Sequence, residues 1–224
     1  MDKLKLGVLR VLTTDDENIL NIHGELLEKY FPEVKTETKC IPDQPNGIYD
    51  DESHKIAVPK IISLAKRWQE SLDGLIISCA GDPAVEELKG ILSIPVTGAG
   101  TPTAAYSLNI GKKVGVIGIG KKAPQSYIEV LGNNLIGYEK PHNVKNTNDL
   151  QTKEGKKEII RSAQKLEEKG GQVIAFACTG LSTAKASLLL KEHISIQVID
   201  AVFAEGLMMI GMCRYRKVFG GDNL

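Results

Sequence analysis

The 224-residue sequence carries no surplus charge of either sign, with 28 Lys+Arg against 28 Asp+Glu. That balance argues against a nucleic-acid partner, which selects for a basic surplus. No apolar run approaches the ~18 residues of a membrane span, so no membrane partner is expected. The opening stretch is interrupted by Lys5 and Arg10 and leads straight into patterned sequence. It reads as a first strand rather than a secretory leader, and the expected compartment is the cytoplasm. There is no C-x-x-C pair among Cys40, Cys79, Cys178 and Cys213, which excludes zinc ribbons and thioredoxin-type redox motifs. A disulfide framework is not expected in a reducing compartment. His23, His54, His142 and His193 share no metal-ligand spacing, so no metal site is expected and surface or capping roles cover them. Low-complexity segments and Pro/Gly/Ser linkers are also missing.

What is present is ordinary in amount and regular in order. Hydrophobic residues make up 42% and charged residues 25%, as in a globular domain. A chain of this length buries roughly 70% of its unfolded surface and needs no covalent staple. Short apolar runs at Leu4–Leu12, Leu75–Ser78, Ile94–Thr97, Val114–Ile119, Gln172–Ala177 and Ile194–Ile199 alternate with helical patterns, notably Asp15–Tyr30 and His54–Leu72. Continuous apolar strands between helices are what a parallel sheet covered on both faces requires. The class is α/β.

The chain also repeats itself. Lys5-Leu6-Gly7-Val8-Leu9 resembles Lys113-Val114-Gly115-Val116-Ile117. The strand ending Ser78-Cys79-Ala80-Gly81 resembles the one ending Ala177-Cys178-Thr179-Gly180, and Ser93-Ile94-Pro95-Val96 resembles Ser195-Ile196-Gln197-Val198. We read two pseudo-symmetric lobes of about 100 residues each, an ordinary domain size. Each has a mainly parallel sheet flanked by helices, with a cleft between them. The first lobe spans 1–98 and the second 99–200, and a helix over 201–219 packs back on the first. That helix holds every methionine except Met1, which suits either a core or a subunit contact, and a homo-oligomer is expected.

Cys79 and Cys178 each close an apolar strand, at the edge where open α/β sheets bind ligands. Asp82-Pro83 reads as an N-cap with proline in the first helical turn. A helix start can bind an anion and can lower a thiol pKa from about 8.5 toward neutrality. Two such cysteines facing across a cleft suit one chemistry. One thiolate removes a proton from a carbon acid, and the opposing thiol delivers a proton to the other face. Backbone N–H groups at Ala80, Gly81, Thr179 and Gly180 would stabilise the charge that develops. The turn Thr97-Gly98-Ala99-Gly100-Thr101 offers hydroxyls and N–H groups that could hold a carboxylate, or serves as a plain capped turn. The loop Cys40–Gly47 reads as a lid or a connector.

The blocks Ser78-Cys79-Ala80-Gly81-Asp82-Pro83 and Ala177-Cys178-Thr179-Gly180 resemble the Asp/Glu/hydantoin racemase superfamily, closest to its hydantoin racemase branch. The segments Gly7–Thr14 and Gly115–Gly118 fall where that family places substrate-contacting loops. The resemblance implies cofactor-independent racemisation of an amino acid or a 5-substituted hydantoin, with Cys79 and Cys178 as the acid–base pair. Arg10, Thr13, Ala80, Gly81, Gly98, Gly118, Thr179 and Gly180 are the expected substrate contacts. Arg10 to Thr14 replaces an Asn-Pro-Asn-type segment of that branch, and an arginine suits a carboxylate. The glycines at 115, 118 and 120 lack dinucleotide spacing, so no nicotinamide is expected. The alternatives are a cis–trans isomerase or other carboxylic-acid enzyme of the superfamily, and a small-ligand binding protein without turnover.

Overall fold

A computed structural model describes residues 3–220; residues 1 and 2 of the expected first lobe lie outside them. In chain order the first half holds β1 (Leu4–Arg10), α1 (Glu17–Tyr30), β2 (Val34–Cys40), α2 (Asp51–Trp68), β3 (Gly74–Ser78), α3 (Val85–Lys89) and β4 (Val96–Gly98). The second half holds α4 (Gly100–Ile110), β5 (Val114–Gly118), α5 (Gln125–Leu131), β6 (Leu135–Glu139), α6 (Lys153–Glu168), β7 (Val173–Ala177), α7 (Gly180–Thr183), α8 (Ala186–Leu190) and β8 (Gln197–Ile199), followed by α9 (Ala201–Phe219).

The strands form two four-stranded sheets, ordered β2-β1-β3-β4 and β6-β5-β7-β8. Every pairing among the described residues is parallel. The two orders are the same order, so β1 corresponds to β5, β3 to β7 and β4 to β8, as the sequence repeat implies. The α/β class and the two-lobe layout both hold. The two inner strands of each sheet are buried along nearly their whole length, which explains their uninterrupted apolar runs. The edge strands β2 and β6 are only partly buried.

Local chemistry fixes the helix starts. Asp50 caps α2 through a reciprocal capping box with Ser53. Asp200 caps α9, accepting from the N–H groups of Val202 and Phe203 and from the hydroxyls of Ser182 and Ser187. One departure from expectation bears on the site. Asp82 does not cap the helix that follows it. Asp82 (φ 49°) and Ala84 (φ 61°) both take left-handed backbone, and α3 begins only at Val85. That turn sends the Asp82 carboxylate to α4 instead, where it accepts from Gly100 N at 2.6 Å, Thr101 N at 2.7 Å and Thr101 Oγ1 at 2.7 Å.

Helix α9 joins the two halves. Val202, Met209, Ile210 and Cys213 enter a core with Leu4, Leu6, Val8, Leu27 and Ile76 from the first half. Ala204 packs with Val114, Val116, Val173 and Ala175 from the second. The methionines divide accordingly: Met209 is buried and Met208 faces outward. Among the described residues, no helix is long and apolar enough to cross a membrane.

Candidate active site

Strands β3 and β7 end at equivalent points, and each hands over to a cysteine. Cys79 follows β3 and Cys178 follows β7, and both line one cavity of about 1160 Å³ between the two sheets. The register places Arg10 beside Ser78 and Gly118 beside Ala177. The residues after each cysteine differ in path. Beyond Cys79 the chain makes the left-handed turn through Asp82, whereas beyond Cys178 it enters α7 at once. Cys178 is buried and Cys79 is partly open to the cavity.

The N–H of Gly81 favours a thiolate at Cys79, and those of Gly180 and Leu181 favour one at Cys178. Burial outweighs them. It pushes the Cys79 thiol up to about 12, with the nearby Cys178 adding to the rise, and the Cys178 thiol up to about 11. The expected shift toward neutrality is therefore reversed: burial raises both thiols, and the helix beyond Cys79 begins only at Val85. The two sulfurs are close enough for their charges to interact, and Arg10 acts on Cys178 in the opposite sense.

The other expected contacts divide. Arg10, Ala80, Gly81, Thr179 and Gly180 line the cavity beside the cysteines. Arg10 is buried, and its Nη1 donates to the carbonyls of Ile19 (2.6 Å) and Leu20 (3.1 Å). Burial lowers its pKa to about 10, and the neighbouring Glu205 works against that fall. Thr13, Gly98 and Gly118 do not line the cavity. Thr13 Oγ1 donates to Ile41 O and accepts from Gln44 N, which ties down the Cys40–Gly47 loop. A Cβ at Gly98 would collide with the Asp82 carboxylate, so that glycine makes room for a protein side chain. The Thr97–Thr101 turn does hold a carboxylate, and it is that of Asp82. Gly118 holds the register position that Arg10 holds in the first sheet, and a Cβ there would crowd the Tyr138 phenol.

Sequence reasoning missed a buried polar cluster behind the thiols. His23, assigned to a surface or capping role, is fully buried on α1. Its Nδ1 lies 2.8 Å from Ser78 Oγ and its Nε2 2.9 Å from Thr183 Oγ1. Ser78 Oγ donates to Glu205 Oε1 at 2.7 Å, and Thr179 Oγ1 donates to Ser78 O at 3.1 Å. Burial keeps the His23 pKa well below its ordinary value, with Arg10 adding to the effect, and holds the Glu205 carboxyl well above its own. The only sequence signal was a lone polar residue on each apolar helix face.

Farther out, the cavity wall is largely apolar, with Val11, Leu12, Ile19, Ile22, Ile48 and Ile119. At the mouth, Lys121 from the second half acts on Asp50 from the first. Among the described residues, no group of three or more His, Cys, Asp or Glu could hold a metal ion.

The family described as Asp/Glu/Hydantoin racemase matches residues 21–205. No curated protein sequence matches the chain. Among solved structures, it is similar to allantoin racemase from Klebsiella pneumoniae, with 17% identity, a TM-score of 0.80, and coverage of 98% of this chain and 92% of that one. Allantoin racemase from Pseudomonas fluorescens is similar at 15% identity and TM-score 0.78, covering 94% of this chain and 91% of that one. Glutamate racemase from Bacillus anthracis follows at 18% identity and TM-score 0.72, covering 100% and 86%.

Proposed function

The chain belongs to the Asp/Glu/Hydantoin racemase family and is an isomerase of the racemase type, and from that premise we propose that it inverts a small carbon acid by two-base proton transfer between Cys79 and Cys178. The observation that carries this reading is the position of the two thiols, one at the end of each equivalent strand, on one cavity. In one direction the Cys79 thiolate takes the α-proton. The C–H electron pair moves into the adjacent carbonyl as an enolate. Cys178 S–H then protonates the opposite face as the C–H bond re-forms, leaving Cys178 as the thiolate. The reverse direction exchanges the roles. Acid and base are both supplied by the chain, so the step draws on no cofactor.

The high thiol pKa values fit this division of labour. A thiol near pKa 11 is ionised in only about one part in 10⁴ at pH 7, but its thiolate is a strong base toward a weakly acidic C–H bond. The N–H groups of Gly81, Gly180 and Leu181 lessen the cost of forming that thiolate.

For the substrate we favour a 5-substituted hydantoin over a free amino acid. Arg10 spends Nη1 on backbone carbonyls rather than holding a bidentate fork open to a carboxylate. The apolar cavity wall suits a neutral ring with an apolar substituent. The test is incubation of the reduced protein in D₂O with single enantiomers of 5-benzylhydantoin, allantoin, aspartate and glutamate. Loss of the α-proton NMR signal and of optical rotation are followed together. Exchange with loss of rotation for the hydantoins supports the reading, and turnover of the amino acids alone moves the substrate class. Tight binding of a panel compound without exchange, from folded protein with free thiols, would overturn two-base inversion of that compound.

A further inference from the structure

Behind the two thiols, a line of hydrogen bonds runs across the boundary between the sheets. Thr183 belongs to α7, His23 to α1, Ser78 to the end of β3 and Glu205 to α9. We propose that Thr183, His23, Ser78 and Glu205 form an interlobe clamp that sets the position of Cys79 relative to Cys178, with His23 as its central positioning residue. The proposal rests on the two-base reading above and extends it to His23 and Glu205, which do not line the cavity.

Connectivity is the first argument. Ser78 directly precedes Cys79, and Thr179 directly follows Cys178. Among the described residues, two side-chain hydrogen bonds join β3 or α1 to the segment running from β7 into α7. They are His23 to Thr183 and Thr179 to Ser78 O. Both therefore lie within a few residues of a thiol. A two-base inversion needs both sulfurs within about 3–3.5 Å of their target positions on one carbon. The thiols stand on separate sheets, so no strand register fixes that distance.

The line is also continuous and buried. With His23 held neutral by burial, one ring nitrogen donates and the other accepts, Nδ1 facing Ser78 Oγ and Nε2 facing Thr183 Oγ1. Ser78 Oγ is in turn 2.7 Å from Glu205 Oε1. Each contact restricts the next, as in other buried polar networks.

Glu205 is fully buried, and its Oε2 has no hydrogen-bond partner. A buried, half-satisfied carboxyl is worse for stability than an apolar side chain of the same size. Its position is explained by what its other oxygen does, which is to fix the Ser78 hydroxyl next to Cys79. The charged groups acting on Glu205 are Arg10, Asp200 and Asp82, and none of them forms an ion pair with it.

The clamp makes a specific kinetic statement. A carbanion formed at Cys79 either regains a proton there or receives one from Cys178. Loosening the clamp misplaces the second thiol and favours return. Where the Cys79 S–H exchanges with D₂O before the proton is returned, deuterium accumulates in the recovered starting enantiomer relative to the inverted product. A variant that merely lowers the folded fraction scales both outputs together and leaves their ratio unchanged.

The experiment measures that ratio in D₂O for wild type, Thr183→Val, Thr183→Ser, His23→Asn and Glu205→Gln, using the single-enantiomer panel compound that wild type inverts fastest. His23 does not line the cavity, so its variant separates the clamp from a direct substrate contact. Thermal unfolding of each variant reports folding. A displacement of 1 Å or less costs up to about 10²-fold, so Thr183→Val and His23→Asn should raise the ratio by about threefold to tenfold. Thr183→Ser, which keeps the hydroxyl, and Glu205→Gln, which keeps an acceptor for Ser78, should return most of the wild-type ratio. An unchanged ratio in both Thr183→Val and His23→Asn overturns the clamp while leaving the racemase reading in place. A rise in Thr183→Val alone also overturns it, in favour of a substrate contact. If wild type neither exchanges nor inverts any panel compound, the two-base reading falls and the clamp with it.

Discussion

At Cys178 three influences meet: burial, the N–H groups of Gly180 and Leu181, and the charge of Arg10. Burial is the largest, and it acts in the same direction at Cys79. The consequence for activity has a definite sign. In the proposed two-base inversion the active form carries one thiolate, and the raised thiol pKa values leave the free protein almost entirely dithiol at neutral pH. Raising pH therefore raises the active fraction, by about tenfold per unit, until the first of the coupled thiol ionisations is reached near 11. The expected profile of kcat/KM is a rise from pH 7 to 10 with no plateau, and a plateau beginning below pH 8 would contradict the burial argument. At this scale the sequence was informative about identity and poor about environment. Both cysteines were singled out because each ends an apolar strand and precedes a small residue. The direction of their titration was missed because the sequence does not show how deeply both thiols are buried, and burial outweighs the N–H groups that face them.

Helix α4 starts on another segment's side chain. Three donors at its first turn, two from backbone and one from Thr101, converge on Asp82. Asp82→Ala would orphan all three, and the expected loss is about 2 kcal/mol in urea unfolding, within the range for caps and unsatisfied donors. Thr101→Ala, which removes one of the three, should cost less. Helix α9 gives a prediction about pH. The folded protein holds the Glu205 proton well above the unfolded value. The native state thus binds more protons than the unfolded state between those two values. Stability from this residue is full below the unfolded carboxyl range and is lost as pH rises through the folded pKa. Glu205→Gln has no such proton to lose. Its stability relative to wild type should improve steadily between unfolding measurements at pH 5 and pH 9. Most elements were legible because buried strands carry continuous apolar runs. Strand β6 was not: it is a partly buried edge, its Leu-Ile-Gly-Tyr-Glu pattern interrupted by Gly137, and it follows a tight turn.

Over the whole molecule, the shared strand order makes the two thiols counterparts rather than partners with fixed roles. Single substitutions should therefore give mirror-image defects. Cys178→Ser and Cys79→Ser each lower racemisation by about 10²–10⁴-fold. Each retains deuterium exchange from a different enantiomer, the one whose α-proton faces the surviving thiol. Loss of exchange from the same enantiomer in both variants would contradict the counterpart arrangement. The repeat was visible in the sequence because the corresponding inner strands share apolar sequence. The clamp was not, because His23, Ser78, Thr183 and Glu205 are brought together only by tertiary packing. The placement of α9 reaches beyond the site. Leu6, Val8 and Ile76 belong to the first half, yet their cover includes Val202, Met209 and Ile210 from the last described helix. A ribosome delivers roughly 5–20 residues per second, so the first sheet waits on the order of ten seconds with that apolar face unclosed. During that interval the nascent chain offers a natural target for a chaperone, and slowing translation ahead of α9 would lengthen the exposure.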